Sequence, residues 1–223
     1  MVEKSILYFD RPGPRCTRQV VEAVKRCVAS DGPKHVVIAS ISGRTALRFA
    51  RALPRKELNV VCVSGPPSWQ LYREYQGVCP VPEVKQRLEA LGVVVVDRML
   101  SLVDGIDYGC ARYGLVPPSW LIMETLVAVG GYGLKTAVEV AVMATDAGAV
   151  PPFQEVLAVA GMGTGADTAA VVLSTFARHF FSPQPERRFQ LKEIIAMPRN
   201  KTWWETIGLA DWQVVERERR RRR

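Results

Sequence analysis

Three observations predict an α/β domain built on a doubly wound, mostly parallel sheet. Short uninterrupted β-branched runs recur along the chain, segments with apolar residues at helical spacing lie between them, and two of the runs lead straight into glycine-bearing loops. At 223 residues the chain is long enough for one sizeable core and short for two.

Thr17 is the expected N-cap of a first helix, because Val20, Val21, Val24, Cys27 and Val28 then recur at helical spacing until Asp31-Gly32-Pro33. Val36 to Ala39 reads as an interior parallel strand. Ala46 to Leu53 follows as a helix ending before Pro54. Val60 to Val63 and Val93 to Val96 repeat the strand pattern, with a helix between them over Pro82 to Leu91, closed by Gly92. Two further helices are expected over Ser119 to Val129 and Leu134 to Asp146, separated by a flexible Gly130-Gly131-Tyr132-Gly133. Met123, Val127, Val138, Val142 and Met143 are their core positions. Val156 to Ala160 is the next strand. Thr168 to Leu173 fits strand or helix by pattern, and Ile194 to Met197 is one more short apolar run.

No stretch of eighteen uncharged apolar residues and no secretory leader is visible, so a cytoplasmic protein without membrane partners is expected. The cysteines Cys16, Cys27, Cys62, Cys79 and Cys110 lack the paired spacing of a zinc site, and Cys27 and Cys62 fall in apolar segments as small hydrophobes. Of the net charge of +8, Arg217 and Arg219 to Arg223 against Glu216 and Glu218 supply half. That tail reads as a solvated end, with contact to nucleic acid the lesser alternative.

The sharpest chemical signal is Ser40-Ile41-Ser42-Gly43-Arg44-Thr45, between a strand and a helix. The first turn of a helix presents unpaired N–H groups and a positive dipole end, which together suit an anion. Gly43 would let the backbone approach a phosphate, Ser40, Ser42 and Thr45 would add hydroxyl donors, and Arg44 a planar cation. In the plainer alternative Ser42 caps the helix and Arg44 points into water. A second candidate is the loop Gly161-Met162-Gly163-Thr164-Gly165, whose backbone amides could reach a ligand from the opposite wall. Asp167 and Thr168 would either orient that ligand or hold the turn. With Ala166 this loop satisfies a dinucleotide glycine pattern, but too little chain follows it for the rest of such a domain. His35 and His179 sit in no triad setting, and no metal motif is evident. Lys135 and Glu139 fall on one helix face as an ion pair, while Glu139 and Asp146 read as structural or solvated.

Several stretches together resemble a known family: Tyr8 to Gly13, Ser40 to Leu47, Gly133-Leu134-Lys135 through Glu139 to Met143, and Asp146-Ala147-Gly148. To these are added Gly165 to Ala169, Lys192 to Ile195 and Met197 to Asn200. From about residue 5 to 201 the chain is similar to the stand-alone archaeal proteins classed with the pyruvate kinase C-terminal (alpha/beta) domain. The resemblance implies a three-layer α/β/α sandwich over residues 1–201, and the tryptophan-rich and arginine-rich extension over 202–223 lies beyond it. It likens Ser42 to Ala46 to the loop with which pyruvate kinases hold a phosphate of a sugar bisphosphate activator. It also associates the chain with flavin mononucleotide (FMN), the ring lying against Gly161 to Thr168. No reaction is established for that family as a class, and without the catalytic barrel the resemblance does not make this chain a kinase. The chain departs from the family pattern after Val63, where Ser64 to Trp69 replaces a threonine, a histidine and a Gly-Phe pair. Thr164 stands for an arginine and Cys16 for an asparagine. Trp203, Trp204 and Trp212 leave two readings open, packing on the domain or on a second subunit of a homo-oligomer. The expected function is binding of a small phosphorylated ligand, with a flavin-dependent or phosphate-ester enzyme as the alternative.

Overall fold

The structure is a computed structural model that describes residues 3–54, 57–66, 82–98, 107, 110 and 113–201. Cys79, the stretch 67–81, which takes in Pro67, Ser68 and Trp69, and the extension over 202–223 lie outside the described residues. The fold is an α/β/α sandwich on a mixed, mostly parallel seven-stranded sheet. The strands are β1 (Leu7–Phe9), β2 (His35–Ala39), β3 (Asn59–Val63), β4 (Val94–Val96), β5 (Glu155–Ala160), β6 (Thr168–Leu173) and β7 (Gln190–Pro198), in the order β1-β7-β6-β5-β2-β3-β4. β2 is interior and parallel to both neighbours, β5 and β3, as its apolar run requires. Only β6 runs against the rest.

Alternation along the strands sorts the core into two layers. Val36, Ile38, Val60, Cys62, Leu157 and Val159 face one side, where α1 (Thr17–Ala29), α2 (Arg44–Ala52) and α3 (Pro82–Ala90) cover them with Val20, Val24, Phe49 and Leu88. Val37, Val61, Val63, Val156 and Ala158 face the other, under α4 (Pro118–Asp146), whose Ala137, Ala141 and Ala144 let the helix lie close to the sheet. Phe49 is fully buried, and truncating such a side chain to alanine costs about 3–5 kcal/mol.

The two helices expected over 119–146 form one helix with a break. Gly131 has φ 78° and ψ 175°, a conformation that interrupts the hydrogen-bond ladder and that a side chain would oppose. The loop read as flexible is thus a kink, and Gly130, Gly131 and Gly133 are buried. Met123 is only half-buried, against the expectation of a core position, because it lies before the kink, where Val127 alone is buried in the turns from 118 to 129. By length and composition α4 could cross a membrane, with a mean hydropathy of 1.4, yet 67% of that window is buried inside the protein.

Thr17 is likewise not an N-cap. A 3-10 turn over Pro14–Cys16 runs into α1 with Cys16 at helical angles (φ −76°, ψ −18°), so Thr17 is the first helical residue and its hydroxyl is released for other partners. Thr168 to Leu173, undecided by pattern, is a strand buried at all six positions, because it inserts between β5 and β7.

Candidate functional site

The chain order explains where a ligand could reach this sheet. From β2 it moves outward through β3 to β4 by way of α2 and α3, then returns across both strands through α4 to β5 on the other side of β2. The direction of winding therefore reverses between β2 and β5, and α4 covers the opposite face from α2 and α3. Such a switch point leaves a crevice beyond the carboxyl ends of the two strands. The loop over residues 40–45 leaves β2 there, and the loop over 161–167 leaves β5 there. Because β2 and β5 pair in parallel, with Ile38 opposite Val159, the loops start about 4.8 Å apart laterally.

The first loop is held by Ser40. Its N–H continues the β3 ladder to the Val63 carbonyl at 2.9 Å, and its buried Oγ accepts from the Thr45 and Ala46 amides at 3.1 and 3.2 Å. Gly43 is the N-cap position of α2, but it is the Ser40 hydroxyl, not that of Ser42, that meets two of the first-turn amides, so these are already bonded and not open to an anion. Ser42 Oγ lies 3.5 Å from the Arg44 N–H, Ser42 and Thr45 are half-buried, and Arg44 is exposed. Gly43 is required for a different reason from close ligand approach. It has φ 74°, and a Cβ there would lie 2.6 Å from Val84 Cγ1 and 3.1 Å from Leu88 Cδ1, so α3 occupies the missing side chain's space. Ser64, in the segment that departs from the family pattern, donates its hydroxyl to the Ile41 carbonyl at 2.7 Å and braces the loop from β3.

The second loop is tied inward. Asp167 is fully buried and its carboxylate accepts from the Gly13 amide at 2.9 Å, the Met162 amide at 3.1 Å and the Thr168 hydroxyl at 2.8 Å. Burial pushes its pKa up against those bonds and against the nearby Lys201 ammonium, whose own pKa burial lowers. Thr17 Oγ1 donates to the Pro14 carbonyl at 2.7 Å and accepts from the Ala166 amide at 2.9 Å. Gly165 has φ 74°, and a Cβ would collide with Thr17 Oγ1 and lie 2.7 Å from Pro14 Cα. A side chain at Gly133, in the kink of α4, would strike Thr168 Oγ1 and Asp167 Oδ1. Asp167 and Thr168 thus hold the turn, while Gly163 and Thr164 are exposed and Gly161 and Gly165 half-buried.

Sequence reasoning missed Gly13, Gly133 and Lys201 as partners of this loop. Gly133 and Lys201, with Pro12, Met162 and Pro198, line a void of about 10 Å³ beside Asp167, the size of one water. The glycine cluster at 130–133 was the available signal, read as flexibility rather than as close packing.

The remaining candidates are structural. His35 Nδ1 lies 3.1 Å from the Asn59 amide nitrogen, and His179 packs between Phe153 and Phe176. Cys62 is buried and its thiol is pushed up to about 12, so it is an inert small hydrophobe. Cys16, Cys27, Cys62 and Cys110 are free thiols. Asp146 accepts from the Ala177 amide at 3.2 Å, and Lys135 pairs with Glu139 at 2.7 Å, buried rather than solvated.

Fold and loops together define a doubly wound α/β sandwich with two glycine-bearing loops over its switch point. No protein-family model matches the chain.

Proposed function

We propose that the chain binds a small phosphate-bearing ligand in the crevice between the 40–45 and 161–167 loops, with FMN the candidate that the family resemblance suggests. One observation carries the reading: both loops lie at the carboxyl ends of the two strands that flank the switch point. The donors differ from those the bare sequence suggests. With the Thr45 and Ala46 amides bonded to Ser40, the phosphate would be met by Arg44 and by the hydroxyls of Ser42 and Thr45. Ser40 and Gly43 set the loop's shape, and Asp167 and Thr168 do so for the opposite wall. On this reading the exposed Gly163 and Thr164 would offer backbone amides to the ligand, with Gly161 and Gly165 shaping the turn that carries them.

Titration with FMN, riboflavin and inorganic phosphate tests this. FMN should bind at least about tenfold more tightly than riboflavin, and Arg44→Ala should weaken FMN about ten- to a hundredfold while leaving riboflavin unchanged. Equal affinity for the two flavins, unaltered in the variant, would remove the phosphate anchor.

A further inference from the structure

A second cavity, of about 150 Å³, shares no residue with the 40–45 and 161–167 loops. Residues from both halves of α4, on either side of the break at Gly131, line it. Ile122, Met123 and Leu126 come from the first half. Phe180 and the largely exposed Phe181 line it as well, and Phe180 is braced by a stacked Phe189, ring centroids 5.0 Å apart and planes at 12°.

An ion pair sits in this apolar lining. Lys135 Nζ bonds Glu139 Oε2 at 2.7 Å, and the two side chains are only 14% and 8% exposed. A pair so placed contributes little net stability, since desolvation offsets much of the attraction. It does supply a polar end to the cavity. The ammonium has three N–H donors and the Glu139 bond takes one. The Glu139 carboxylate beside that ammonium would repel a second carboxylate, while a neutral oxygen acceptor meets no such opposition.

We infer that this cavity is a binding site for a small neutral amphipathic molecule. The ligand carries one ring, or a branched chain of similar size, and a hydroxyl or carbonyl oxygen that accepts from Lys135. The space of about 150 Å³ admits a molecule the size of one ring, and the cavity opens to solvent beside the exposed Phe181. The lining sets the polarity: carbon against Ile122, Leu126 and the two phenylalanines, oxygen against the pair.

Methyl-labelled methionine provides the readout, with the Met123 resonance assigned by Met123→Leu and followed in the full chain during titration with phenol, benzene and benzoate. Phenol should shift the Met123 methyl saturably and bind about tenfold or more tightly than benzene or benzoate. Leu126→Trp, which fills the cavity, should abolish the shift. Lys135→Met combined with Glu139→Leu removes both charges together, so that neither is left buried alone, and should erase the preference for phenol over benzene while both still bind. No saturable shift with any of the three probes would overturn the site. Tightest binding of benzoate, or an undiminished phenol preference in the double variant, would overturn the assignment of the polar end.

Discussion

The loops after β2 and β5 begin on neighbouring strands, both contain a glycine at φ 74°, and they use their polar groups in opposite ways. The β5 loop turns its groups inward. Asp167 gathers three donors, one of them from Gly13, 154 positions away in sequence, and Thr17 bonds Ala166 across 149. The β2 loop bonds inward through Ser40 and the Ile41 carbonyl, leaving Ser42, Arg44 and Thr45 at or near the surface. A glycine-rich strand end is therefore ambiguous: it marks a ligand's approach in one setting and a close protein contact in another. Gly43 and Gly165 are both of the second kind, each with a protein atom where a side chain would stand. Ligand contact, on the proposed reading, falls to the residues beside them.

The largest test of this contrast is Gly165→Val. A β-branched side chain at positive φ, in collision with Thr17 and Pro14, should cost about 4 kcal/mol. Urea unfolding would measure it, and a loss below about 1 kcal/mol would mean that the β5 loop is not clamped. Asp167→Asn should come next. It sets an amide N–H₂ among donors that need an acceptor, for a loss of about 2–3 kcal/mol near neutral pH.

The pH dependence of that variant sharpens the point. Burial raises the folded-state pKa of Asp167 above its unfolded value, so the native state binds this proton more tightly than the unfolded one. The associated stability is fully present below the ordinary aspartate pKa and is lost as pH rises through the raised folded value. The asparagine variant lacks this titration, so its deficit against wild type should be greatest at the acid end and shrink as pH rises. Unfolding curves from about pH 4 upward would show the convergence, and a deficit that grows with pH would contradict a burial-raised carboxyl.

Gly43→Ala follows, at about 2 kcal/mol, combining the cost of positive φ with displacement of Val84. Its partner substitution, Val84→Ala, should recover part of the loss in a double-mutant cycle, because it removes the atom that the new methyl meets. Strict additivity would place the strain in the backbone alone. The smallest effect on folding is expected for Arg44→Ala, within about 0.5 kcal/mol, since the side chain is exposed. A larger loss would put Arg44 on the structural side of the comparison, with Asp167.

Local sequence carried most of the fold and less of the site. Val36 to Ala39, Val60 to Val63 and Val156 to Ala160 were legible as strands, because β-branched runs buried on both faces need no knowledge of their neighbours. The helices over 44–52 and 82–90 were legible from spacing and from Pro54, Pro82 and Gly92. Thr168 to Leu173 was not, since a threonine and five apolar residues in a row carry no period, and only pairing with β5 and β7 makes them a strand. The switch point was also out of reach, because strand order is a property of the whole sheet.

What the sequence determined by itself is thus the alternating α/β plan, the strand-to-helix placement of Ser40 to Thr45 and the glycine positions of both loops. The tertiary structure alone decided what those glycines and polar groups are for. Whether Ser40 or Ser42 meets the first-turn amides of α2, whether Gly43 faces α3 or open space, and whether Asp167 faces a ligand or Gly13 all depend on groups distant along the chain. The physical reason is that hydrogen bonds and close contacts act over a few ångströms in space, whereas local patterning reports only the few residues on either side. Lys135 and Glu139 show the same division: their spacing of four made them a pair, and only the packing of α4 in the folded chain left that pair buried.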